Sequence, residues 1–279
     1  MLNDMSKELM ESLSTVGKQK VAIESTHKNM LESISYAKRI QSSLQPDENN
    51  IKDFLNDAFL IYRPCEIVGG DCYCVMRRAG KTIVAVADCT GHGVPGALMS
   101  VLAISSLNNV ITQMDRNNIT ASGILEALRY KMINTMNKSL VIKDGLDICL
   151  TVIDEHKGVL QYSGANNPLF IVRDGNLIVL NPTKCPVGLH PIKLDFIDEI
   201  FEYKHGDSVF YFSDGYQDQF GGPLNRKFTR KALKEFLPTI GGLSTQKQKE
   251  ALIKNLEDWM AAQNLKRQVD DITVLGIKF

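Results

Sequence analysis

Asp88-Cys-Thr-Gly-His-Gly-Val-Pro-Gly96 follows directly on Lys81-Thr-Ile-Val-Ala-Val-Ala87. Ile83 to Ala87 form a short continuous apolar run, the mark of a buried strand, so Asp88 stands at a strand end. The glycines and Pro95 predict a tight loop, and Ala97 to Ile104 is rich in helix formers. The stretch therefore reads strand, loop, helix. Its backbone at Gly91 and Gly93 can approach a ligand closely, although a plain structural turn has the same signature. It is not a P-loop, because the Lys-Ser/Thr ending is missing and no GxGxxG occurs.

Other acids sit in matching places. Ile67-Val-Gly-Gly70 leads into Asp71, Ser208-Val-Phe-Tyr-Phe-Ser213 runs into Asp214, and Asp270-Asp271 stand just before Ile272 to Phe279. Each Asp alone is more often a turn or cap residue. In an antiparallel sheet, however, the end of one strand lies beside the start of its neighbour, so Asp88 and Asp214 can meet Asp270 and Asp271 at one edge. Like charges gathered in a partly buried site repel unless hard, oxygen-preferring cations neutralise them.

Composition narrows the classes. The chain has 279 residues, 44% of them hydrophobic, enough for a sizeable core. Lys plus Arg equals Asp plus Glu at 32 each, so no global charge draws the chain to nucleic acid or anionic membrane. Cys65, Cys72, Cys74, Cys89, Cys149 and Cys185 show neither CxxC pairs nor regular spacing with histidine. They read as buried reduced thiols, which suits a cytoplasmic location. No apolar stretch is expected to approach the roughly 18 residues that span a bilayer, and no leader pattern opens the sequence.

Leu2, Leu9, Val16, Ile23, Met30, Ala37 and Leu44 recur at intervals of seven, with Met5, Leu13, Ile34 and Ile40 in a second apolar column. This is a coiled-coil seam, weak in its middle where Gln19, Lys20, Thr26 and His27 interrupt the second column. A helix of this length extends about 65 Å. It predicts a parallel homodimer, the alternative being an amphipathic helix packed on its own chain. Gln45-Pro-Asp-Glu-Asn-Asn50 ends it, dividing the chain into a helical segment, 1–45, and a second domain, 46–279.

Strands are expected at 59–62, 71–76 and 83–87, and helices at 95–114 and 122–137. Successive hairpins follow over 148–153 with 159–162 and over 169–172 with 177–180, then a strand at 208–213, helices near 229–236 and 245–262, and a last strand. About ten strands in hairpins with two helix pairs predict an α+β sandwich, helix-sheet-sheet-helix, of two mainly antiparallel sheets.

The motifs Gly69-Gly-Asp71, Asp88 to Gly96, Gly164-Ala-Asn-Asn-Pro168, Ser213 to Gly222 and Gln268-Val-Asp-Asp-Ile-Thr273 occur in order. Together they resemble the SpoIIE-type branch of the PPM, or type 2C, metal-dependent serine/threonine protein phosphatases, over about Phe59 to Phe279. The resemblance implies the same sandwich fold and two divalent cations, Mn2+ or Mg2+, that activate a shared water. Carried over by position, Asp88 bridges both metals, Asp71 and the backbone carbonyl of Cys89 complete one, and Asp214 with Asp270 holds the other. Asp271 is a further ligand or a neighbour of one. Gly91, His92, Gly93, Asn166 and Asn167 fall on the substrate side, His92 as a proton donor or a structural loop residue.

Two departures stand out. Glu66-Ile-Val-Gly-Gly70 supplies no phosphate-holding arginine ahead of Asp71, and His92 lies four residues after Asp88 where many relatives place a histidine after two. The implied partner is a phosphorylated protein of the anti-anti-sigma type, with the N-terminal helix linking a sensory region to the catalytic domain. Two other functions fit the same residues: a catalytically silent, dimeric interaction module, and a phosphoesterase for a small molecule.

Overall fold

The computed structural model describes residues 2–136, 145–191, 194–261 and 268–279. In chain order come α1 (Leu2–Leu44), α2 (Glu48–Phe54), β1 (Ala58–Arg63), β2 (Asp71–Arg78), β3 (Lys81–Cys89), α3 (Gly93–Gln113) and α4 (Ala121–Met136). Next are β4 (Gly145–Asp154), β5 (Val159–Ala165), β6 (Leu169–Arg173), β7 (Asn176–Leu180), β8 (Val187–Gly188), β9 (Glu199–Glu202) and β10 (Ser208–Phe212). The chain closes with α5 (Gly215–Asp218), β11 (Phe220–Gly221), β12 (Arg226–Lys227), α6 (Thr229–Ile240), α7 (Thr245–Ala261) and β13 (Ile272–Lys278). Asn137 and Ala262, expected to end two of the helices, lie outside the described residues.

Two antiparallel sheets carry the domain. One has the order β1-β13-β10-β6-β7; the other runs β2-β3-β4-β5-β9, with β8 added alongside β4. Their alternating side chains build three apolar layers. Val84, Val86, Leu160, Val209, Tyr211 and Leu275 fill the space between the sheets. Ile83, Ile148 and Leu150 face Leu107, Ile111, Leu125 and Leu128 of α3 and α4, while Phe170, Phe210 and Val274 face Leu233, Leu237, Leu252 and Leu256 of α6 and α7. Period-two alternation on the strands and an apolar stripe on each helix produce this helix-sheet-sheet-helix stack, as expected. Thr151 and Tyr211, on facing sheets, join hydroxyls at 2.7 Å in the middle of the dry layer, which satisfies both buried groups.

α3 corrects one expectation. It is long and apolar enough by composition to cross a bilayer. Its apolar residues are spent on sheet and helix neighbours, and Ala97, Ala103, Ile104, Leu107, Val110 and Ile111 are buried there. The break over Gln45 to Asn50 also starts a new helix, α2: Asp47 caps it, accepting from the Asn50 N–H at 2.8 Å. α6 continues past its expected end near Phe236, through Pro238, to Ile240.

α1 ends at Leu44 and rests its last turns on α3. There Ala37 and Leu44 are half-buried, and Gln41 is buried. Part of the heptad seam is therefore used within the chain. Leu13, Val16, Ile23 and Met30 stay exposed, at 57–67%.

Candidate active site

β2 and β3 pair in register, Asp71 opposite Asp88, and β3 pairs with β4 so that Asp88 is also opposite Asp147. Directly opposed residues share a face of the sheet, so three carboxylates stand in a row across it. Asp147 was not singled out from sequence. It sits inside an apolar strand without a flanking motif; the one signal is Gly145-Leu-Asp147 ahead of an apolar run, the same order as Asp270-Asp271 ahead of Ile272.

Asp214 follows β10 and Asp270 precedes β13, its antiparallel neighbour, so the structure brings these two together at one end of that sheet. Asp71 and Asp88 belong to the other sheet. The four therefore meet across the end of the sandwich, where Asp88 and Asp214 lie close enough to act on each other's carboxyls. Asp271 turns away: its two oxygens accept from the N–H groups of Cys65 at 2.7 Å and Gly70 at 2.6 Å. It braces the strand-entry loop.

That loop has no room for side chains at Gly70. A Cβ there would strike the carbonyl oxygen of Gly91 and come to 2.8 Å from that of Cys89. Only glycine lets the Asp71 loop and the Asp88 loop touch by backbone. Thr90 ties the second loop to β4, its hydroxyl donating to the Gly145 carbonyl at 2.8 Å.

Over this floor lies a polar cleft of about 310 Å³, lined by Asp88, Cys89, Thr90, Gly91, His92, Gly145, Asp147, Pro186 and Asp270. His92 places Nδ1 3.1 Å from Glu66 Oε1. Asn166, in the left-handed region at φ 58, donates from Nδ2 to Asp147 at 2.8 Å. Gly93 and Asn167 are not in the cleft lining. Gly93 is buried beneath Glu66, and Asn167 is buried with its carbonyl accepting from the Tyr162 hydroxyl.

Burial dominates the electrostatics. It pushes the Asp88 carboxyl up to about 10, helped by Asp71, Asp214 and Asp270. Burial likewise raises Asp71, against hydrogen bonds from Ser213 and Thr273, the latter at 2.7 Å. Asp214, Asp270 and Asp147 are raised for the same first reason. Among the described residues no Lys or Arg forms an ion pair with any of the five.

Such a set suits a hard divalent cation. It offers carboxylate and carbonyl oxygens, no soft ligand, and negative charge without a counter-charge. As the side chains stand, no three such groups among the described residues converge on one point.

The sequence model of the family described as Stage II sporulation protein E (SpoIIE) matches residues 78–279. The chain belongs to the SpoIIE family. Its fold is that of the PPM-type phosphatases in this family. The SiaA PP2C domain of Pseudomonas aeruginosa superposes with a TM-score of 0.81 at 27% identity, covering 91% of this chain and 98% of that one. The PP2C phosphatase domain with a fragment of the regulatory domain of SpoIIE from Bacillus subtilis gives 0.62 at 16% identity, covering 80% and 63%. RsbX in complex with magnesium gives 0.53 at 16%, covering 80% and 94%. The first SpoIIE-type motif, Gly69 to Asp71, lies ahead of the matched stretch, yet the register of β2 on β3 delivers its carboxylate to the site.

Proposed function

We propose that this SpoIIE-family chain is a metal-dependent protein phosphatase that hydrolyses phosphoserine or phosphothreonine on a partner protein. The observation that carries the reading is the meeting of Asp71, Asp88, Asp214 and Asp270 from two sheets at an open polar cleft, with no direct ion pair to a Lys or Arg among the described residues. Asp71, Asp88, Asp214, Asp270 and the Cys89 carbonyl would hold two divalent cations, manganese or magnesium. These would supply a water acidified toward neutrality and would neutralise phosphoryl oxygens.

The chain's own groups do the rest. Asp147 lines the cleft, and Asn166 steadies it by donating to its carboxyl. α3 opens onto the cleft at His92 with no side-chain cap, so its first-turn N–H groups favour an anion there. Glu66 holds His92 by one ring nitrogen and leaves the other for the substrate. The cleft is shallow and polar, which suits a phosphorylated side chain on a protein surface better than an enclosed small molecule.

Regulation and assembly run through α1. Its buried Gln41 donates to the Gly69 carbonyl and to Ser100, each at 2.7 Å, two residues from Asp71. The open face at Val16, Ile23 and Met30 fits a second copy of the chain.

The deciding experiment is hydrolysis of a phosphoserine peptide and of para-nitrophenyl phosphate with manganese, magnesium or EDTA, for the parent and Asp88→Asn. Metal-dependent turnover that falls at least 100-fold in the variant is the expected result, on the order of one essential charged group in the transition state. A folded parent that turns over neither substrate with either metal would point instead to a silent interaction module.

A further inference from the structure

Beside the cleft lies a second cavity, of about 260 Å³, and the two share a wall. Gly145 and Pro186 line the cleft, while Cys185 and Gly188, from the same short segment as Pro186, line the second cavity. Gly188 of β8 pairs directly with Gly145 of β4. Opposed residues of an antiparallel pair stand about 4.5–5.5 Å apart at Cα. An extended chain rises about 3.3 Å per residue, so a peptide whose phosphorylated side chain enters the cleft reaches the second cavity within about three residues.

The other wall of the cavity is α4. Its Leu125, Leu128 and Met132 are spent on the core beneath it. That leaves Glu126, Arg129, Tyr130 and Ile133, neighbours on a helix surface, facing the cavity. Arg129 makes a fixed floor: it is 4% exposed, its Nη1 donates to Glu126 Oε1 at 3.1 Å and to the Leu194 carbonyl at 2.8 Å, and its guanidinium lies 3.9 Å from the Phe196 ring centre. Its charge is thus answered within the chain, and the cavity needs no anion.

The rest of the lining is apolar in character. Ile133 and Cys185 contribute from the sides, and Tyr130 and Leu189 stand 74% and 47% exposed. An exposed tyrosine beside a preformed apolar hollow is the makeup of a recognition pocket. The volume falls below the roughly 300–1,000 Å³ of sites for drug-sized ligands, which fits a single side chain.

We propose that this cavity is a specificity pocket for the phosphoprotein substrate, taking one large apolar side chain of the leucine, methionine or phenylalanine class that stands within about three residues of the phosphorylated one. The inference rests on the phosphatase reading of the neighbouring cleft. The cleft recognises what all phosphoserines share; the pocket reads the sequence around them.

The test uses phosphoserine peptides that carry one leucine, placed in turn at each of the three positions on either side of the phosphoserine in a Ser/Gly background, against the leucine-free peptide. Turnover with magnesium gives kcat/KM, and fluorescence anisotropy gives binding. The proteins are the parent, Tyr130→Ala and Ile133→Glu, with para-nitrophenyl phosphate as the substrate that cannot reach the pocket. Leucine at one position is expected to raise the parent's kcat/KM about 10-fold or more, the scale of burying one such side chain. The preference should shrink in Tyr130→Ala and fall below about twofold in Ile133→Glu, while para-nitrophenyl phosphate turnover stays unchanged in both. Should Ile133→Glu fail to fold, seen as a collapse of its melting temperature, Tyr130→Ala at the exposed rim decides.

A parent indifferent to leucine at every position, in turnover and in binding, overturns the proposal. So does a preference that survives in folded variants, and so does an equal loss on peptide and para-nitrophenyl phosphate, which would make the cavity a support for β8 alone. A change of association state in Tyr130→Ala would give the pocket to a second copy of the chain and also overturns it. A parent that hydrolyses no phosphopeptide yet binds a leucine peptide more tightly than the leucine-free one loses the phosphatase reading and keeps the pocket.

Discussion

Burial beside three other carboxylates favours the protonated form of Asp88, whose pKa is pushed from 3.8 up to about 10. The folded, metal-free protein therefore holds protons that the unfolded chain has released, over the whole interval between those values. Stability from this site is complete below the ordinary carboxylate value and is lost as pH rises toward 10. Melting measured in EDTA should fall steadily from pH 5 to pH 9. Magnesium, which takes the proton's place, should flatten that slope and release protons on binding. A pH-independent melting curve in EDTA would remove the basis for a buried, uncompensated acid cluster. At this scale the sequence was most legible where an acid stands at a strand end with glycine within three residues, as at Asp71, Asp88 and Asp214. Asp147 lacks such punctuation. It is embedded in a strand, and only the register of β3 on β4 brings it to the cleft.

Elements with a long period were readable and short ones were not. α1, α3, α4 and α7 extend over several turns, so their apolar stripes repeat enough to be recognised. β8, β11 and β12 are two residues each and β9 four, too short for alternation to show. Their positions are fixed by neighbours: β8 by its pairing with Gly145 and Leu146, β9 by the edge of β5. The fate of α1's last turns was equally hidden, because a heptad does not reveal whether its partner is another chain or the chain's own domain. Gln41 decides this locally. Its amide is enclosed, and Gln41→Ala would leave the Gly69 carbonyl and the Ser100 hydroxyl short of a partner. The loss should cost about 1–3 kcal/mol in the Gly69 loop. Because Asp71 follows that loop, the magnesium concentration for half-maximal activity should rise several-fold in Gln41→Ala. An unchanged magnesium titration would mean that the contact is mere packing.

For the molecule as a whole, the open part of the seam makes an association prediction. Leu13, Val16, Ile23 and Met30 are more than half exposed along one extended helix, an arrangement that a second α1 would cover. Sedimentation velocity should find a dimer for the parent and a monomer for Val16→Glu with Ile23→Glu. A monomeric parent at micromolar concentration would end the homodimer reading. The docked end adds a mechanical constraint. Successive residues on a helix point about 100° apart, so a turn of α1 by one position would bring Ile40 or Ser42 to the place of Gln41, and neither carries an amide. The helix thus has a single torsional setting in which Gly69 is braced. If α1 regulates the site as proposed, whatever grips the outer arm and twists it would work a crank roughly 60 Å long, and the site would read that motion as the making or breaking of the two hydrogen bonds of Gln41.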